Sequence, residues 1–93
     1  KVTASKDLST IKIGDTVTFT GYGNLTNPSA SDSIDKINFI ILKDGVSVSN
    51  TEVNTILEST GVWKATKDFT VTSAGSYSVR IRVHWLSKNS WLE

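Results

Sequence analysis

From Tyr77 to Trp85 the chain alternates strictly. Tyr77, Val79, Ile81, Val83 and Trp85 are apolar or aromatic, and Ser78, Arg80, Arg82 and His84 fill the positions between them. A period of two puts one set of side chains on a buried sheet face and the other on the opposite face, so this run predicts a strand, central in its sheet. The same period appears where Val17 and Phe19 alternate with Thr16, Thr18 and Thr20. It returns over Val62 to Thr72, where Trp63, Ala65, Phe69 and Val71 share one parity and Lys67 breaks it, as a residue at an edge or bulge would. Ile37, Phe39 and Ile41 make one face of a further strand, with Ile34, Ile40 and Leu42 partly filling the other.

The segments between these runs are turn formers. Leu8, Ile11 and Ile13 form an irregular first strand that Gly14 and Asp15 interrupt. Asp44 and Gly45 suit the two positive-φ positions of a type I′ hairpin, which would set Lys43 opposite Val46 and Ile41 opposite Val48. Gly21 to Ser33, rich in Gly, Asn and Ser and holding the single Pro28, is expected to be a long loop. Glu52 to Ser59 has partial helical spacing but poor helix formers in Asn54, Thr55 and Thr60, and is expected to be an irregular strand or crossover. Ser87 to Trp91 is short and polar, so that either the last strand is truncated in this fragment or Trp91 anchors a brief one.

Short alternating segments separated by turns predict an all-β fold, two packed antiparallel sheets forming an immunoglobulin-like sandwich of about seven strands. Val71 to Val83, in which small residues, Gly75 and Tyr77 precede the alternating strand, resembles the corner before the sixth strand of immunoglobulin-like and PKD-type repeats. Gly14, Asp15, Val17 and Phe19 resemble the opening of bacterial and archaeal surface repeats of this kind. Val79 stands where antibody-type domains carry a cysteine, and Phe39 roughly where they carry the core Trp. The resemblance is therefore to disulfide-free bacterial or archaeal cell-surface modules, PKD-like or of the cell-adhesion type. It implies that Tyr77 ties the corner to its strand through its hydroxyl, and that Phe39, Trp63 and Trp85 are structural. It also implies a non-catalytic spacer or adhesion module of an extracellular or cell-surface protein, whose partners are neighbouring domains of the same chain and possible ligands a surface polysaccharide or protein.

At 93 residues the chain is one domain with a modest core, and without cysteine it has neither a disulfide nor a thiolate to offer a metal. Residues 1–91 read as one module excised from a longer protein, and Leu92 and Glu93 as a remnant of cloning. Ten basic against nine acidic residues provide no electrostatic basis for nucleic-acid binding, and no apolar run is long enough for membrane insertion.

Candidate chemistry is sparse. Arg80, Arg82 and His84 share one strand face and could form a stripe for an anionic ligand, although Asp68 or Glu52 could instead pair with them. His84, the only imidazole, has no Gly-x-Ser-x-Gly nucleophile elbow beside it and is expected to be solvated, so no catalytic residue and no enzyme activity are expected. Three Trp residues raise the alternative of a carbohydrate-binding module attached to a glycan-active enzyme. Trp63 and Trp85 fall in the buried phase, which leaves Tyr22 and Trp91 as candidate platforms, with Asn24 on the predicted loop as a further ligand candidate. Asn24, Leu25 and Thr26 also form a glycosylation acceptor sequence. Asp32 and Asp35 flank the loop end without diagnostic calcium-ligand spacing, and no metal or cofactor is expected. Ile40 and Leu42 on the outward face need cover, which an adjacent repeat or the chain's own crossover at Ile56 and Leu57 could supply, the crossover being preferred because it requires no partner.

Overall fold

Two antiparallel four-stranded sheets pack face to face in the computed structural model, which describes residues 1–29 and 31–93. The strands are β1 (Val2–Ala4), β2 (Thr16–Asn24), β3 (Ile34–Lys43), β4 (Val46–Asn54), β5 (Ile56–Ser59), β6 (Val62–Thr70), β7 (Tyr77–Trp85) and β8 (Ser90–Leu92), with a single 3-10 turn at Leu86–Lys88. Sheet order is β1-β2-β6-β5 in one layer and β4-β3-β7-β8 in the other. The first is the ABED arrangement of an immunoglobulin-like sandwich, and the second places the C and F strands, β3 and β7, at the centre of the other sheet. No helix among the described residues is long and apolar enough to cross a membrane.

The alternating positions build the core as their period requires. Val17, Phe19, Ile37, Phe39, Ile41, Ala65, Val71 and Tyr77 form one buried cluster, against which Trp63, Phe69, Val79, Ile81, Val83 and Trp85 pack. Tyr77 donates its hydroxyl to the Ser73 carbonyl at 2.7 Å, closing the corner between β6 and β7. Its ring sits 5.6 Å from that of Phe69, tilted by 55°, an aromatic pair that links the two layers.

Several elements depart from the sequence expectation, each for a local reason. The first strand is Val2–Ala4, paired with Gly21 to Phe19, and Leu8 and Ile11 pack against the core from irregular turns rather than from a strand. The expected loop from Gly21 is shorter, because β2 runs on to Asn24 and pairs residue for residue with β6; Ala30 lies outside the described residues. Asp44 and Gly45 adopt φ of 51° and 81°, as a type I′ turn demands, and Lys43 does face Val46. A bulge then places Ser49, not Val48, opposite Ile41, and Val46 and Val48 are left exposed. Ile34 is fully buried in the core instead of lying on the outer face, because β3 slips by one residue between Ile34 and Lys36. Such a bulge reverses the parity of everything on one side of it.

Glu52 to Ser59 is the expected strand and crossover. At Thr55 the chain leaves one sheet for the other, held by Thr55 N–H to the Asp35 carbonyl at 3.1 Å and by its hydroxyl to the Ile34 carbonyl. Ile56 and Leu57, at 63% and 62% exposure, therefore sit in the opposite layer and do not cover Ile40, which is buried between Arg80 and Asn50. Lys67 pairs regularly with Phe19 and shows no bulge, yet β5 reaches only as far as Lys64, so its other side is a sheet edge. Leu92 and Glu93 take part in the structure: Leu92 pairs with Val83, and Glu93 lies 3.7 Å from Arg80.

The layers approach closely at β2. A Cβ on Gly23 would lie 2.8 Å from Ile34 Cγ2, and one on Gly21 3.0 Å from Ile37 Cγ2. Gly23→Ala should therefore destabilise the fold by about 1–3 kcal/mol, as overpacking of a tight core does, measured as a lower urea midpoint with an unchanged slope. Tyr77→Phe should cost about 1 kcal/mol in the same experiment, and an unchanged midpoint would remove the hydroxyl from the account of the corner.

Candidate functional site

The outward face of β4-β3-β7-β8 holds the densest array of polar side chains that sequence singled out. Strand register aligns them in rows: Asn54, Lys36, His84 and Trp91 in one, Glu52, Asn38 and Arg82 in the next, and Asn50, Ile40 and Arg80 in a third. Glu52 pairs with Lys36 at 3.8 Å and not with an arginine, while Asp68 belongs to the other sheet and accepts from the Thr18 hydroxyl at 2.7 Å.

His84 is buried at 7% exposure, in contrast to the solvated position expected for it. The bulge in β3 is the cause, since the extra residue, Asp35, directs its carboxylate to His84 Nδ1 at 2.6 Å. Nε2 faces Asn89 Oδ1 at 2.9 Å, and Asn89 occupies the left-handed region at φ 45°, a conformation that asparagine tolerates well. An imidazolium ring satisfies both oxygens by donating from both nitrogens. Accordingly its pKa is raised, chiefly by the Asp35 hydrogen bond and secondly by Asn89, against an opposing contribution from desolvation.

A carboxylate on Nδ1 is also the arrangement that orients a general base, but in a hydrolytic triad Nε2 takes a nucleophile's proton. Here Nε2 is engaged by an amide oxygen, and the nearby Ser87 hydroxyl donates to Asp32 at 2.6 Å. The cluster thus acts as a clasp joining β3, β7 and the turn before β8. Asp32 extends it, accepting from Ser29 N–H as well, and these two hydrogen bonds, Ser87 first, lower its pKa. Asp32 and Asp35, weighed above for calcium, are both occupied in this way, and among the described residues no group of three or more His, Cys, Asp or Glu gathers around a common point.

Trp91 is half-buried rather than an open platform. Its ring lies 4.9 Å from the His84 ring, and the Arg82 guanidinium sits 5.1 Å from its centroid, a cation–π contact. Tyr22 and Asn24 lie on the other sheet, where Lys1 is 5.8 Å above the Tyr22 ring. Both border a cavity of about 260 Å³ that also touches Ile81, Val83, Leu92 and Glu93. The five ligand candidates therefore separate into Arg80, Arg82 and Trp91 on one face and Tyr22 and Asn24 on the opposite layer, so Tyr22 and Trp91 cannot form one aromatic platform.

Sequence reasoning missed Asn38, Asn89 and the role of Asp35. Asn38 is 6% exposed, and its Oδ1 has no hydrogen-bond partner among the described residues, although the residue sits between Glu52 and Arg82 in the strand register. A polar residue inside the apolar run from Ile37 to Leu42 was the available signal. Trp63 and Trp85 pack against the core as their parity implied.

Because Asp35 raises the folded-state pKa of His84, the clasp contributes stability below the unfolded histidine pKa of about 6.5 and loses it as pH rises through the folded value. Asp35→Asn should bring the histidine titration midpoint down. The stability gap between wild type and variant should be widest in the acidic range and narrow above the folded pKa, followed by NMR titration and by denaturation at a series of pH values. Compared with known proteins, the chain matches no family model, no curated protein and no solved structure.

Proposed function

We propose that this chain is a non-catalytic spacer or interaction module of a cell-surface or secreted protein, acting beside neighbouring domains of the same chain. The observation that carries the reading is how its polar groups are used. His84, Asp35, Asn89, Arg82 and Trp91 engage one another across β3, β7 and the β8 segment instead of converging on a cleft. Side chains spent in this way stiffen a sheet and keep its geometry constant. The elongated shape, 45 × 22 × 16 Å, suits a module that holds its neighbours apart, and loops at the ends of such a sandwich can vary without disturbing its core.

A second reading, a carbohydrate-binding module, is favoured by one specific feature. In the strand register Asn38 stands between Glu52 and Arg82, and the Arg82 guanidinium lies 5.1 Å from the Trp91 ring. Sugar recognition commonly combines an aromatic face with flanking polar groups. An amide NMR spectrum recorded during titration with soluble cell-wall and plant polysaccharides separates the two. The spacer reading expects the Trp91 indole signal and the amides around Asn38 to stay in place; saturable shifts confined to Trp91, Arg82 and Asn38 would replace it with the sugar-binding module.

A further inference from the structure

Asn24, Leu25 and Thr26 form the only acceptor sequence for N-linked sugar in the chain, since Pro28 disqualifies Asn27 and Ser29. The fold places it favourably. Asn24 is the last residue of β2, opposite Val62 of β6. Leu25 packs against the core and donates its N–H to the Gly61 carbonyl at 2.9 Å, while Asn24 and Thr26 on either side of it are exposed. Asn27 then takes φ of 49° and the chain bends. Alternation thus continues one step past the strand, burying the middle residue and presenting the other two to solvent.

Tyr22 stands two residues before Asn24 on the same outward face of β2, because Gly21 and Gly23 occupy the inward positions. Positions i and i+2 of a strand lie about 7 Å apart, within reach of one sugar ring attached to the amide. Tyr22, Asn24, Val62 and Lys1 line a recess of about 190 Å³ there. The C–H bonds of a pyranose carry slight positive charge and the face of an aromatic ring slight negative charge, so the two attract as they exclude water. Lys1, whose ammonium sits 5.8 Å from the Tyr22 ring centroid, is an exposed side chain that a sugar can displace.

We propose that Asn24 carries an N-linked glycan whose first sugar packs against Tyr22. In the transfer, Asn24 Nδ2 bonds to C1 of a lipid-linked oligosaccharide and gives up one proton to a base of the transferase; the C1–O bond to the lipid's phosphate breaks, and the phosphate leaves with the electron pair. Thr26 supplies the hydroxyl by which the transferase recognises the acceptor. The proposal rests on the extracellular reading above, because lipid-linked sugar is transferred to chains that cross a membrane. It deepens that reading by naming a modification and the residue that seats it.

The test expresses the chain behind a supplied export signal in a host that attaches N-linked sugar, and reads intact mass, peptide maps, ring proton signals and the urea midpoint. One glycan is expected, at Asn24; Asn24→Gln and Thr26→Ala should each abolish it, and Thr26→Ser should retain it. Enzymatic removal of the glycan should shift the Tyr22 ring signals and lower the midpoint. In Tyr22→Ala, which keeps the acceptor, removal should move the midpoint far less, whereas Tyr22→Phe should behave as wild type because the ring and not the hydroxyl meets the sugar. The wild-type ring signals decide the contact even if the alanine variant does not fold. An exported, folded chain with Asn24 empty would overturn the proposal, and a glycan whose removal leaves the Tyr22 signals and the midpoint unchanged would overturn its seat on Tyr22. Because the export signal is supplied, an empty Asn24 counts against the site alone, whereas the spacer reading falls to the polysaccharide titration described above.

Discussion

The sandwich depends on how closely its two layers approach at β2. Gly21 and Gly23 occupy inward positions on that strand, and the space a side chain would take there is filled by Ile37 and Ile34 from β3. Removing two Cβ atoms from one layer lets two branched aliphatic side chains of the other reach the opposing backbone, with the tight packing expected of protein interiors. The requirement extends beyond the contact itself. Ile34 can reach Gly23 only if it faces inward, and regular alternation from Ile37 would have pointed it outward.

The bulge at Asp35 resolves that conflict and sets the rest of the outer face. By absorbing one residue it turns Ile34 into the core and leaves Asp35 beside His84. The Ile34 and Asp35 carbonyls then receive Thr55, the residue at which the chain crosses between sheets. His84 in turn holds Asn89 and packs on Trp91, so the short last strand is positioned by a clasp that begins at the bulge. A single backbone irregularity thus couples core packing, the sheet crossover and the placement of β8.

Charge also manages the edge that the brief β5 leaves open on β6. Lys67 occupies an inward phase on β6 just where β5 no longer pairs, and an inward charge discourages indiscriminate strand addition.

The all-β class, the Asp44–Gly45 hairpin, the Tyr77 corner, the central position of β7 and the inward phase of Phe39, Trp63 and Trp85 were legible in the sequence. They follow from local causes: a period of two, a pair of residues that tolerate positive φ, and a tyrosine at a turn. Gly21 and Gly23 were misread as loop because glycine signals a turn in isolation, whereas here it answers to Ile37 and Ile34, residues in the other sheet. His84 looked solvated because its strand parity is outward. Its burial comes from Asp35, 49 residues away, and from Asn89 and Trp91, brought to it by sheet pairing. Sequence by itself therefore determined which residues could form strands and which face each would offer. Only the tertiary structure decided where the register slips, since a bulge is selected by the packing of both layers at once and no residue type marks its position along the chain.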